Sequence, residues 1–383
     1  MVFESSNGDV ATVDAATGKV TLLGAGHTGT TTITATVSNT DNYNYPTKTA
    51  TCALTVEDGY SYLEWDGTKM ATKIVADDDA NRVLVTNTTT ILSDNSKVYV
   101  VKGDVDISAN VSYTGSEANN TKVVLCDGAK LKINGRLCSN TPTNYISIYA
   151  QSEGKDMGEL SIEDNNNTSP LYGTDIKIYG GKISVTSKIT TDYAWAIGGS
   201  HLYVYGGDVT AKGSNNASGK GGHGISAVTY LYGNAKLTAI GGTGSGEDKN
   251  AGSGISGSTY IYGNAQLTAI GGDATSGNCG GGHGLNGELT INDNAHAECQ
   301  AGKGFGTGSD GIGVNNKIHY LGGTFVAVGK HACYYGIQNE STTEATFEYS
   351  TDGTTWSADN SFTLTAGASE STKTNNPGLR TKQ

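Results

Sequence analysis

Proline is nearly absent from this 383-residue chain, at 4 residues, and arginine is confined to Arg82, Arg136 and Arg380. With so few prolines, few backbone positions are withheld from a strand ladder. With so few arginines and a net charge of −12, the clustered cations that grip phosphate are missing. Nucleic acid and anionic membranes are therefore poor partners. No apolar run reaches the roughly 18 residues of a helical membrane span. No stretch sustains a 3.6-residue apolar period, so helix should be minimal. Six cysteines are too few for a disulfide scaffold. They read as buried or incidental thiols, with one bridge as the alternative. No signal peptide precedes "VFESSNGDV", as though the sequence starts inside a domain.

Phenylalanine and tryptophan are also scarce, at 5 and 3, against 21 tyrosines and 55 glycines. Tyrosine pairs an apolar ring with a wet hydroxyl and suits a surface more than a core. Glycine without proline points to many tight corners between strands rather than to a loose linker.

The first segment alternates apolar and polar residues around turns. Val10, Val13, Val20, Leu22, Ile33, Ala35 and Val37 fit one buried face, with "TGK" and "GAGHTG" as corners. Ser5-Ser6-Asn7, the run Val10 to Asp14, Gly18 to Val20, Thr32 to Ala35 and a closing strand at 50–56 together resemble the bacterial Ig-like domain, group 2. The resemblance covers about 55 residues and implies an exported protein but no chemistry. The family's first strands have no counterpart here, so the module is expected to be truncated or completed by something else.

Further on, the chain repeats itself. "TYLYGNAKLTAIGG" at 229–242 returns as "TYIYGNAQLTAIGG" at 259–272. Tyr230, Tyr260 and Thr290 fall in one column of period 30. So do Leu231, Ile261 and Ile291; Leu237, Leu267 and Ala297; Ala239, Ala269 and Cys299; and Ile225, Ile255 and Leu285. Shorter periods link Ile178 to Val204 to Leu231, and Ile291 to Tyr320. Three short strands and three corners in about 30 residues describe one coil of a parallel β-helix, in which like residues stack at about 4.8 Å. A propeller blade needs more residues, and the leucine and asparagine spacing of a leucine-rich repeat is missing.

The fold expected is all-β: a single-stranded right-handed parallel β-helix of about eight coils behind an Ig-like β-sandwich module. The divisions are 1–57 for the partial Ig-like domain, 58–97 for linker and N-terminal cap, 98–345 for the β-helix, and 346–383 for a capping hairpin and tail. Within the last, "STDGTTW" nearly matches the Asp-box of sialidases but is one residue short, and reads as a structural turn. Residues 60–365 resemble the Gly-rich β-helix region of gut-bacterial surface proteins of carbohydrate-binding type, carried by "VYVVKGDVDIS", "VVLCDGAKLKI" and the "YGGDVTAKG" repeats.

"GGHGIS" at 221–226 resembles the Gly-His-Gly motif of polygalacturonases. The paired acids that inverting hydrolysis requires are missing around His223, and so is the family's Arg-Ile-Lys. A second copy at His283 is one more than catalysis needs. Two coils, about 9.6 Å, separate these histidines, too far for one transition metal. Calcium in the acidic loops of Glu247, Asp248 and Asp273 is the one metal possibility, although no EF-hand spacing is present. No cofactor is otherwise expected.

The tyrosines remain. Tyr179, Tyr205, Tyr232 and Tyr262 form one outward column, and Tyr203, Tyr230 and Tyr260 a second, with His201 and His319 nearby. They either bind the face of a sugar or only stabilise a sheet by cross-strand packing. The expected function is a non-enzymatic cell-surface or secreted protein, an adhesin or carbohydrate binder. Its partner would be an extracellular glycan or a host or bacterial surface component. A passive stalk and a polysaccharide-active enzyme are the alternatives.

Overall fold

The computed structural model describes residues 1–23, 27–38, 47–56, 58–139, 144–164, 169–190, 193–247 and 249–382. Nearly every element is a strand, and the helical content among the described residues is two single 3-10 turns, Ala358–Asn360 and Lys373–Asn375. Contacts divide the chain into two compact units, Met1–Tyr60 with Ile74–Asn81, and Ser61–Lys73 with Arg82–Gln383.

In the first unit, Val2–Ser5, Gly29–Val37 and Lys48–Val56 make an antiparallel sheet in that order, and Ala11–Val13 pairs with Val20–Leu22. The Ser-Ser-Asn motif is a clasp. The buried Thr31 hydroxyl meets Ser5 Oγ at 2.8 Å and accepts the Asn7 N–H at 2.9 Å, and Ser6 Oγ accepts the Thr32 N–H at 2.8 Å. The expected buried face is only partly realised. Val10 is buried, Val13, Ile33 and Ala35 are half-buried, and Val20, Leu22 and Val37 are exposed. Short strands in two thin sheets cannot cover both sides of every apolar position. The "GAGHTG" corner includes residues 24–26, which lie outside the described residues.

The second unit is a parallel β-solenoid of about eight turns. One turn begins on Ile225–Leu231, bends at Gly233-Asn234, runs along Lys236–Ile240 and returns through a glycine-rich loop to Ile255–Ser256. Every column read from the sequence is a register pair: Tyr230↔Tyr260↔Thr290, Leu231↔Ile261↔Ile291, Leu237↔Leu267↔Ala297, Ala239↔Ala269↔Cys299 and Ile225↔Ile255↔Leu285. The inward members are almost wholly shielded. Full burial of a Leu or Ile is worth about 1.5–3 kcal/mol, and half of each shield is the neighbouring turn, so stability is shared between turns.

The glycine-rich loops have their own logic. Outgoing and returning segments of successive turns alternate in one hydrogen-bonded column. Gly242 N–H donates to Gly222 O, Gly252 to Gly242, Gly272 to Gly252, Gly282 to Gly272 and Gly302 to Gly282, all at 2.8–2.9 Å. Each Cα lies so close to a carbonyl that an added Cβ would sit 1.8–2.0 Å from it at Gly242, Gly252, Gly272, Gly282 and Gly302. These glycines supply close approach of backbone to backbone, not left-handed turns.

Parallel pairing begins before residue 98, since Arg82–Leu84 pairs with Val98–Val101 and Ile91–Leu92 with Val111–Tyr113. At the far end pairing turns antiparallel. Gly378–Thr381 lies between Thr324–Val328 and Ala345–Ser350, and the latter pairs with Ser361–Leu364. Phe347 is fully buried between Phe325 and Phe362. In "STDGTTW" the Asp352 carboxylate accepts Ser350 Oγ and the N–H groups of Thr354 and Thr355. Arg380 lies 4.4 Å from the Trp356 ring and pairs with Glu348 at 2.7 Å. All six cysteines are unbridged, and five are buried.

Candidate functional site

Alternation along each strand puts the tyrosines outside and their aliphatic neighbours inside. The first column holds five rings, one more than the sequence reading named. Tyr149 lies under Tyr179, followed by Tyr205, Tyr232 and Tyr262, with centroid spacings of 4.6, 4.8, 5.2 and 5.4 Å and tilts of 4–13°. The second column is Tyr203, Tyr230 and Tyr260, at 5.0 and 4.9 Å. His201 stands beside Tyr203 rather than in its column, paired in register with Asp175 and Val228. His319 continues the second column beyond Thr290 and binds Glu340 at 2.7 Å.

This stacking changes what the ladder can do. A ring sandwiched between two others has no free face. That describes Tyr179, Tyr205, Tyr232 and Tyr230, which offer only edges and hydroxyls. Tyr179 is also buried, so it has no surface for a ligand. Burial, then the neighbouring ring of Tyr232, pushes the Tyr205 hydroxyl up to about 12; burial, then Asp175, does the same at Tyr203. Free faces remain at the ladder's end, on Tyr262 and Tyr260, because the next turn carries Asn292 and Thr290 in their places.

A hairpin of Gly59–Trp65 and Met70–Ala76 completes the site, and its tip, Ser61–Lys73, belongs with the solenoid. Tyr62 meets Tyr149 edge-on at 4.8 Å, and Glu64 accepts the Tyr149 hydroxyl at 3.1 Å. Trp65 lies along Tyr205 and Tyr232 at 5.8 and 6.3 Å, against the Gly233 backbone, where a Cβ would come within 3.2 Å of its ring. The turn is fixed by Asp66 Oδ1, which accepts the N–H groups of Thr68 and Lys69 and the Thr68 hydroxyl. Those donors hold its carboxyl down to about 2.

Between the hairpin tip and the Gly-Asn corners opens a cleft of about 910 Å³, lined among others by Trp65, Lys69, Tyr232, Tyr262, Asn264 and Asp293. Asn234 and Asn264 of its lining belong to a row of amides. Asn264 Nδ2 donates to Asn234 Oδ1 at 3.3 Å, and Asn294 Nδ2 to Asn264 Oδ1 at 3.4 Å. Gly233 and Gly263 turn this corner with φ of +59° and +71°; the next turn places Asp293 there, at +56°. Left-handed backbone is disfavoured with a Cβ. Asp293 Oδ2 accepts the Gly263 N–H at 2.8 Å.

The two Gly-His-Gly motifs do one job twice. His223 Nδ1 accepts the Ser253 N–H at 2.8 Å, and His283 Nδ1 the Ile312 N–H at 3.0 Å, each from the following turn. Burial, with smaller contributions from His283 and Lys220, drives His223 down to about 4, and burial lowers His283. Both rings are thus neutral near pH 7, with the proton on Nε2. The acids considered for calcium do not gather: Glu247 accepts Asn278 Nδ2, Asp273 accepts the Lys303 N–H, and Asp248 lies outside the described residues. Among the described residues no three His, Cys, Asp or Glu side chains are grouped to hold a metal.

Tyr149 was findable, since "ISIYAQ" sits about one period before "IKIYGG". Trp65 and Asp293 carry no repeat signal, Trp65 because the hairpin is outside the repeat and Asp293 because it breaks the Gly-Asn rule. Among the described residues no helix is long and apolar enough to cross a membrane. No curated protein and no solved structure matches the chain, so nothing adds to the resemblance read for residues 60–365. Residues 1–39 match the family model of the intimin immunoglobulin-like domain, which upholds the Ig-like reading of the first segment with the intimin type as the matching model in place of group 2.

Proposed function

We propose that this is a bacterial surface protein whose solenoid binds a glycan, without chemistry of its own, in the cleft between the hairpin tip and the end of the tyrosine ladder. An intimin-type Ig-like module fits display on a surface. The observation that carries the binding reading is the cleft itself. It sets Tyr262, a ring with one uncovered face, beside Trp65 and a row of amide side chains. Sugars offer C–H faces for aromatic rings and hydroxyls for amides and carboxylates. Lys69, Glu153 and Asp293 give the rim both signs of charge, which suits a neutral saccharide.

The test is affinity electrophoresis of the whole chain through a panel of neutral polysaccharides. Retention by one of them, lost in Tyr262→Ala and Asn264→Ala although both chains stay folded at the assay temperature with only a modest loss of stability, supports the reading. A second reading has its own support, because most ladder faces are covered by other tyrosines. If nothing is retained and the variants only lose stability, the solenoid is a passive stalk. Release of reducing ends from a polymer would instead identify an enzyme.

A further inference from the structure

A second cleft, of about 480 Å³, lies against the glycine-rich loops and is lined by Lys249, Asn278, His283, Asp310, Lys330 and Tyr334, among others. Its aromatic differs from those of the ladder. Tyr334 is 49% exposed, meets Tyr335 edge-on at 4.8 Å and 88°, and has no parallel ring against it among the described residues. Lys249, Lys330 and His283 supply donors around it. His283 spends Nδ1 on the Ile312 N–H, so its neutral ring presents an Nε2–H with no acceptor among the described residues. His331 donates Nδ1–H to Asn375 O at 2.7 Å. Lys330 Nζ has Ser309 Oγ at 3.4 Å and no carboxylate within 4 Å among the described residues; Lys249 likewise has none. Among the described residues Asp310 is the one acid in the lining, and its Oδ1 accepts the Gly304 N–H at 2.7 Å.

Two lysines with no carboxylate partner among the described residues, a fixed imidazole N–H and an exposed aromatic ring are unusual company in a chain of net charge −12. We infer that this cleft is a separate site for an acidic saccharide, a sugar ring bearing carboxylate or sulfate. The ring packs on Tyr334, and the anionic group is held by Lys330 and Lys249, with the His283 Nε2–H as neutral donor. Charge-assisted hydrogen bonds supply the selectivity over neutral sugars. A guest on Tyr334 would not touch Tyr262, which belongs to the other cleft.

Calorimetric titration of the whole chain with three oligosaccharides of equal length, one uronate, one sulfated and one neutral, tests this. In the Tyr262→Ala chain, whose neutral-glycan cleft is disabled, binding of the uronate or the sulfated probe but not the neutral one is expected, and which of the two binds names the anionic group. Lys330→Ala and Tyr334→Ala should each weaken it by about tenfold or more, Lys330→Arg should retain it, and added salt should weaken it. Tyr262→Ala should leave it unchanged, which separates this site from the neutral-glycan cleft. Equal binding of neutral and acidic probes by the Tyr262→Ala chain, acidic-probe binding that survives both Lys330→Ala and Tyr334→Ala, or no binding of either acidic probe overturns the inference. Both substituted side chains are exposed, and an unchanged melting temperature establishes that the fold is kept.

Discussion

Tyr232 and Tyr262 stack 5.4 Å apart with 13° between their planes, yet Tyr232 is covered by rings on both faces and Tyr262 on one. A stacked aromatic pair contributes about 0.5–1.5 kcal/mol beyond its buried area. Tyr232→Ala breaks two such pairs and exposes Trp65, and Tyr262→Ala breaks one. Denaturant titration should therefore show Tyr232→Ala the more destabilised, by roughly twice as much. Equal midpoints for the two would mean that the stack contributes nothing and that only burial counts.

The glycine column makes a sharper prediction. An added Cβ at Gly252 would lie 1.8 Å from Gly222 O, whereas at Gly128, which has φ of +71°, it would meet nothing within 4 Å. Gly128→Ala should cost about 1 kcal/mol of backbone strain. Gly252→Ala must push two loop segments apart, at about 3 kcal/mol or more. Thermal melts separate the cases. Similar losses would show that the column is pliable.

The solenoid was legible because its period is written in the side chains. Leu231, Ile261 and Ile291 are one stack seen end on, and counting residues finds it. Four of the five rings of the first column, all but Tyr149, and the three of the second were read for the same reason. The consequence of their alignment was not, because sequence says that tyrosines align but not that they cover one another's faces. In the first column the ring that keeps an uncovered face is therefore the last one, Tyr262, and not the column as a whole. Trp65 joins the site from a hairpin outside the repeat, so no periodicity points to it. At Gly242 and Gly252 the composition signalled corners, but the physical cause is interleaved loops, a contact between segments that pattern alone does not reveal.

His223 sets a pH limit on stability. Its folded value, near 4, lies below its ordinary 6.5, so between those values the unfolded chain holds more protons. Stability is complete above about pH 6.5 and falls as pH drops towards 4, by about 3 kcal/mol from this residue. Protonation also removes the acceptor for the Ser253 N–H. His223→Asn, whose Oδ1 can accept the same hydrogen bond, should flatten the acid limb of a plot of unfolding free energy against pH. A limb as steep as that of the parent chain would assign the loss to other groups.

Asp293 stands where two preceding turns use Gly233 and Gly263, in the same left-handed backbone region. The fold thus has a solution at this corner that needs no side chain. Asp293→Gly would relieve about 1 kcal/mol of strain and forfeit the bond from the Gly263 N–H, a charge-assisted one worth about 1.5–3 kcal/mol. The two effects oppose each other and leave a net loss of about 0.5–2 kcal/mol. Asp293 also lines the cleft, where the proposed glycan would meet its carboxylate as an acceptor. Asp293→Gly should therefore lower glycan retention much more than stability, and Asp293→Asn, which can still accept the Gly263 N–H, should fall between. Retention unchanged in Asp293→Gly would reduce the aspartate to a corner residue and confine binding to Tyr262, Trp65 and the amide row.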